Sequence, residues 1–216
     1  MITVANKPLS AEDWATACKH LARKDRVLKR LIPECAGHML RRDNDAFALL
    51  VRSMVWQQLS VASAQQLWKR FAALPGACTP AGLLSLSDEA LKAIRLPQRK
   101  IGYLKDLAQL FAAPQWAAPQ WQGLSDDEVA EQLVAVRGLG RWNAEMFLIF
   151  HLMRPNVLPI DDAGLQAGIS AHYFSGDPVS RSDVREVCEA WQPWSSVGAW
   201  LIWRSQNAMP MALNLD

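Results

Sequence analysis

Closely spaced cysteines are missing from this 216-residue chain: Cys18, Cys35, Cys78 and Cys188 are scattered, no C-x-x-C pair occurs, and no histidine stands at zinc-ligand spacing. A metal cluster built on local thiols is therefore not expected, and the thiols are expected to be free and reduced. A charge excess is missing too. Twenty-three basic against twenty-one acidic side chains leave a formal charge of +2, so this is no polybasic coating protein, and any hold on a polyanion must come from a local basic face. No apolar run approaches bilayer-spanning length, and no charged-then-apolar leader opens the chain, which reads as an intracellular, membrane-free protein. Strand-type alternation is sparse, and no internal repeat is present.

What remains is helical. Half the residues are hydrophobic, enough for one substantial core or two small ones. Ser10-Ala11-Glu12-Asp13 predicts a helix start, and Asn44 or Asp45 caps a helix running through Gln57. Further helices are expected over 60–71, 87–94 and 99–111, the last with Ile101, Leu104, Leu107, Ala108 and Phe111 on one face. A Pro/Gln/Trp linker occupies 114–122, and later helices are expected over 162–172, 180–191 and 194–204. Of the ten tryptophans, Trp14, Trp68, Trp200 and Trp203 fall at helical spacing among apolar neighbours and are assigned to the core, while Trp116 and Trp121 stay open.

The densest signal is Leu133 to Phe147, followed by Leu158-Pro159-Ile160-Asp161-Asp162. Ser125 to Glu128 reads as a capping box, with Val129, Leu133 and Val136 at helical spacing behind it; Ala144, Phe147, Leu148 and His151 mark an apolar face on a second helix. Gly138 and Gly140 between them describe a tight hairpin, and the second helix would begin with uncommitted backbone N–H groups, a ready phosphate site. Glycine after a helix is equally an ordinary C-cap, so the turn by itself leaves function open.

Val55-Trp56-Gln57-Gln58-Leu59-Ser60, the hairpin Gly138-Leu139-Gly140-Arg141-Trp142, the Leu158–Asp162 loop and Trp191-Gln192-Pro193-Trp194 follow one another in that order. With them the chain resembles the helix-hairpin-helix DNA glycosylase superfamily, most closely its 3-methyladenine DNA glycosylase II group (AlkA/Mag type), from about Phe47 to Trp203. The resemblance implies an all-α, two-lobed fold. One lobe would be discontinuous, residues 1–44 plus 163–216; the other, 45–162, would be a helical bundle containing the hairpin at about 125–150, with substrate in the cleft between lobes. Branches of the superfamily that carry an iron–sulfur cluster need close-set cysteines, which are lacking here.

The implied activity is excision of alkylated purines from duplex DNA by base flipping and hydrolysis of the N-glycosidic bond, in base excision repair. Asp162 matches the catalytic aspartate; its ordinary alternative is a helix N-cap, and Asp161 is left a structural or helper role. Lyase relatives carry a lysine at the start of the second hairpin helix; here that position is Trp142, which implies no strand cleavage and offers an electron-rich wall to a cationic base. Trp194 and Met146 are the other implied pocket walls. Gln58 matches the DNA wedge, with Gln57 a polar helper and Leu59 the plug if the register shifts by one.

Phosphate contacts are implied for Gly138, Gly140, Arg137 and Arg141, within a basic cluster that also includes Arg95, Arg99, Lys100 and Lys105. No cofactor is required, although a monovalent cation, sodium or potassium, is implied on the carbonyls of Val134, Val136 and Gly138. The expected partner is double-stranded DNA bearing alkylated bases, engaged by a monomer in the bacterial cytoplasm, at the nucleoid, or in a eukaryotic nucleus. Three alternatives stand beside this reading: a non-catalytic DNA-binding module, a glycosylase for a mismatched or oxidised base, and a helical interaction scaffold.

Overall fold

The computed structural model describes residues 7–113, 116, 121 and 123–213, and among them every regular element is helical. In chain order these are α1 (Ala11–Lys24), α2 (Arg26–Glu34), α3 (Ala46–Trp56), α4 (Val61–Ala72), α5 (Pro80–Ser85), α6 (Asp88–Ala93), α7 (Gln98–Ala112), α8 (Asp126–Val134), α9 (Arg141–Phe150), α10 (Ala163–Tyr173), α11 (Arg181–Glu189) and α12 (Ser195–Ser205), followed by a short 3-10 turn at Pro210–Ala212. No described helix is long and apolar enough to cross a membrane.

Short polar side chains set most of the helix starts. Ser10 with Asp13, Ser125 with Glu128 and Ser180 with Asp183 each close a reciprocal capping box, so the helix N–H groups left over at those ends are satisfied locally. Asp45 caps α3 and Ser60 caps α4. Two helices go beyond the sequence expectation. Only Asp25, extended at φ −136° and ψ 121°, separates α2 from α1, and no glycine or proline marks the break. The other, α5, is a six-residue turn begun by Thr79-Pro80. The 114–122 linker lies outside the described residues except for Trp116 and Trp121.

The chain divides into two compact units, one comprising the chain through Arg42 together with Leu148 onward, the other Asp43–Phe147. The second boundary falls before residues 148–162, which the sequence reading gave to the bundle. These residues are tied to α12: Ser196 N–H donates to Pro155 O at 3.1 Å, Val157 N–H donates to Ser196 Oγ at 2.9 Å, and Ser195 Oγ donates to Asn156 Oδ1 at 2.7 Å.

In the discontinuous unit α12 is the axis, with α1, α2 and α10 packed on it. It is buried from Ser195 through Trp203, as a helix apolar on every side must be. At Gly168 a Cβ would stand 2.3 Å from Ile202 Cγ2, so α10 can approach α12 this closely only without a side chain. Trp200 is fully buried and meets Trp14 edge-on at 5.0 Å. Trp14 itself is only half-buried, as is Trp68, which stacks on Phe71 at 5.7 Å with the Arg52 guanidinium 5.2 Å from its ring; these two edge the core rather than fill it.

In the contiguous unit α3 and α7 are central. The helix α4 packs on α3, and α7 packs on α3, α5 and α6. Trp121 is fully buried against Phe147, centroids 4.9 Å apart, and also meets Phe111 and Trp116. From Asn143 to Phe147 every residue is buried, so this stretch of α9 is a core segment rather than the one-faced helix that its spacing suggested.

Asp25 joins three elements of the discontinuous unit. Its Oδ1 accepts from the N–H groups of Val27 and Leu28 at 2.8 and 2.9 Å, and its Oδ2 from Tyr173 Oη and Trp191 Nε1 at 2.6 and 2.9 Å. Burial and the neighbouring carboxylate both push the Tyr173 phenol up. Asp25→Ala should therefore lower unfolding free energy by about 2–4 kcal/mol, because it removes a helix cap and leaves the buried Trp191 N–H and the half-buried Tyr173 hydroxyl unpaired; a urea titration showing under about 0.5 kcal/mol would contradict this.

Candidate active site

The hairpin turns on Gly138. Its φ of +93° is left-handed, and a Cβ would stand 2.6 Å from the Tyr103 ring and 2.7 Å from Met54 Cε, so both backbone and space demand glycine. At Gly140 a Cβ would meet Asn143 Oδ1 at 3.7 Å, an ordinary contact. What this residue contributes is its N–H, which donates to Asn143 Oδ1 at 2.8 Å. The expectation of uncommitted N–H groups at the start of α9 is thus corrected at Gly140. Asn143, third in the helix, folds back on the cap like one half of a capping box.

Asn143 is 1% exposed, and chemistry fixes its orientation. A backbone N–H only donates, so the amide oxygen must face Gly140; Nδ2 then donates to Ser53 Oγ at 2.8 Å, and Ser53 Oγ donates to Leu50 O at 2.8 Å. Gln57 Nε2 donates to the same Asn143 oxygen at 2.5 Å and to Gly138 O at 3.1 Å. Gln57, expected as a helper of the wedge, therefore cross-links the end of α3 to the hairpin.

Between α3 and α4 the turn presents Gln58 and Leu59 to solvent, Leu59 being 39% exposed. Gln58 is left-handed, φ +61°. Lys100, expected as a surface cation, is 6% exposed instead and sends Nζ to Val55 O at 3.0 Å and Gln57 O at 2.8 Å. An ammonium fits there because the last carbonyls of a helix lack intrahelical donors. Burial, aided by neighbouring Arg99, lowers Lys100 to about 8. On the outer side Arg99 Nη2 donates to Gln58 Oε1 at 2.5 Å.

The exposed cations beside the hairpin are paired. Arg137 donates to Asp106 Oδ2 through Nε and Nη2 at 2.8 and 2.6 Å and lies 5.2 Å from the Tyr103 ring centre. Arg141 reaches Glu145 at 3.3 Å and Asp127 at 3.7 Å, and Lys105 pairs with Asp88. Of the carbonyls expected around a cation, Val136 O accepts from Leu139 N–H at 3.0 Å and Gly138 O from Gln57. Each carbonyl has a second lone pair.

The two adjacent aspartates meet different fates. Asp161 is half-exposed and pairs with Arg181 at 2.9 Å. Asp162, 7% exposed, caps α10: its Oδ1 accepts from Leu165 N–H at 2.7 Å and from Trp203 Nε1 at 2.8 Å. These two N–H donors fix the direction of the carboxylate. The loop before it is braced by Gln166 Nε2 on Ile160 O at 2.9 Å. The N-cap reading of Asp162 holds, and Trp203 adds a second bond to the same carboxylate oxygen. Trp142 is half-buried in the first turn of α9, whereas Met146 has no exposed surface. Trp194 is 2% exposed, and its indole N–H has no hydrogen-bond partner among the described residues.

Residues 51–193, well over half the chain, match the family model of the HhH-GPD superfamily of base excision DNA repair proteins. The chain belongs to that superfamily. It is 28% identical over 199 residues to DNA-3-methyladenine glycosylase 1 of Schizosaccharomyces pombe, covering 87% of this chain and 86% of that protein. Two solved structures resemble it closely. The Schizosaccharomyces pombe 3-methyladenine DNA glycosylase in complex with abasic DNA superposes with TM-score 0.78 at 27% identity, covering 89% and 97% of the two chains. A DNA-3-methyladenine glycosidase from Bacillus halodurans gives 0.71 at 32% identity, covering 91% and 90%. Two curated Bacillus subtilis relatives are longer, and the chain spans 65% of each.

Within this HhH-GPD chain, sequence reasoning passed over Asn143, Ser53 and the positioning role of Trp203. Asn143 did leave a local sign, an amide three residues after the capping glycine; Trp203 left none, since a buried indole N–H needs a partner but does not name it.

Replacing Trp203 by Phe keeps the ring and removes only the N–H, and should cost about 1.5–3 kcal/mol in unfolding free energy, as for hydrogen bonds to charged groups; unchanged denaturation would rule out the bond to Asp162. Lys100 gives a pH signature. Its folded value, about 8, lies below the ordinary 10.5, so between these pH values the unfolded chain binds more protons and stability rises with pH. The stability of wild type relative to Lys100→Met should therefore climb from about pH 8 to 10.5; a flat difference would contradict a buried ammonium.

Proposed function

We propose that this protein is a monofunctional DNA glycosylase that excises alkylated purines of the 3-methyladenine type from duplex DNA, acting as a monomer wherever the cell keeps its DNA. The observation that carries this reading is Asp162, a carboxylate oriented by a helix start and by Trp203, in a chain of the base excision repair superfamily. Breaking the C1′–N bond of a cationic alkylpurine sends the electron pair to a base that leaves neutral, so no general acid is needed. Positive charge accumulates on the sugar instead, which a fixed carboxylate stabilises while water adds to C1′ and passes its proton to that carboxylate, from which it is lost to solvent. One carboxylate is sufficient for that chemistry.

The remaining parts follow. A flipped base leaves a gap in the stack, and the exposed Gln58 and Leu59 are shaped to enter it. The half-buried Trp142 offers an aromatic face to a cationic ring. With tryptophan at position 142 no amine is present there to form a Schiff base, so the abasic strand stays intact. Arg137 and Arg141 exchange acidic side chains for phosphates at the hairpin. The carbonyls of Val134, Val136 and Gly138 are hard oxygen donors of the kind that suits a sodium or potassium ion, which would bridge the turn to a phosphate.

Methylated duplex DNA should lose free 3-methyladenine and 7-methylguanine to the wild type, and Asp162→Asn should slow this by at least about 100-fold while the protein remains folded. The product should resist cleavage until alkali is added, and borohydride should trap no covalent complex. An Asn variant as fast as wild type, or a trapped adduct, would overturn the mechanism; DNA binding without base release would leave a non-catalytic binding module.

A further inference from the structure

The wedge turn is held by two consecutive residues of α7, one inside and one outside. Lys100 binds the carbonyls of Val55 and Gln57 from within. Arg99 takes the side-chain oxygen of Gln58 from without, at 2.5 Å. A guanidinium has five donors and no acceptor, so only Oε1 of Gln58 can face it. This fixes which end of the amide points away. The two N–H donors of Nε2 are turned to the side that the arginine does not occupy, on a residue whose backbone is already set in the left-handed region.

From this arrangement we infer that Arg99 is a specificity-determining residue: by fixing the Gln58 amide it presents donors to the strand opposite the lesion and makes engagement indifferent to the base there. Every base offers a minor-groove acceptor, O2 on pyrimidines and N3 on purines, so a donor finds a partner opposite any lesion. A freely rotating amide would offer its oxygen as well, and would then favour guanine, the one base with a minor-groove donor. The inference rests on the wedge role given to Gln58 above. Arg99 acts through Gln58 and is a positioning residue.

The test is binding of the full chain to four duplexes that carry a tetrahydrofuran abasic analogue opposite A, C, G or T, which needs no catalysis, with excision of one alkylated purine opposite each base run in parallel. Wild type should bind all four within about threefold, whereas Arg99→Met should spread them by fivefold or more with guanine tightest. Arg99→Lys, which also only donates, should restore the flat profile. In a Gln58→Ala background the Arg99 change should leave the profile unmoved, since the coupling between the two residues is the quantity at issue. A steep wild-type profile, or a uniform weakening in Arg99→Met with no change of profile, would overturn this inference alone. A flat, Arg99-dependent binding profile without excision would keep it and overturn the glycosylase reading; no binding to any duplex would overturn both.

Discussion

The buried carboxamide of Asn143 is the interaction on which the contiguous unit is organised. One oxygen accepts from the hairpin at Gly140 and from Gln57, and one nitrogen reaches Ser53 inside α3. Because each donor and acceptor is fixed in kind, the network has a single consistent orientation, and a partly satisfied version would leave amide groups unpaired in the core at about 1–3 kcal/mol each. The hairpin, the end of α3 and the turn carrying Gln58 and Leu59 are therefore set by one another. Lys100 and Arg99 extend that dependence to the start of α7. A turn of exposed side chains can keep a defined shape only because its backbone carbonyls are held from beneath.

How much of this the sequence carried depends on the range of each interaction. Capping boxes act over three residues, so Ser10, Ser125 and Ser180 announced their helices, and the hairpin glycines announced the turn. Asp162 was legible as a helix cap from its place just before Ala163. Long-range pairs were not legible. Lys100 reads as one more surface cation until the fold brings it under Val55 and Gln57, forty-odd residues away; Arg137 looks like a phosphate contact and finds Asp106. The boundary at residue 148 was hidden because the tether is Ser196, on a helix that follows by forty residues.

The low net charge takes on meaning from those pairs. Arg137, Arg141 and Lys105 each lie against an acid, so these three add little net charge to the hairpin side in the free protein. Exposed ion pairs of this kind contribute little to stability, about 0–1 kcal/mol, so exchanging an acid for a phosphate is nearly neutral in energy. In the proposed function such paired cations would attract DNA little from a distance and would gain phosphates only where the duplex is already well placed. That suits a protein that must leave undamaged sites readily.

The same logic separates the two aspartates of the Leu158–Asp162 loop. Asp161 is half-exposed and pairs with a guanidinium at the surface, whereas Asp162 is buried and its Oδ1 accepts from a backbone amide and an indole N–H. A carboxylate in low dielectric interacts more strongly with a developing cation than the same group in water. The helix start that holds it is also what makes the position tolerable, since an anion at an N-terminus is favoured by the helix dipole. In the proposed glycosylase capping and catalysis would be one arrangement, because the helix start that the Asp162 side chain caps is also what fixes the direction of its carboxylate.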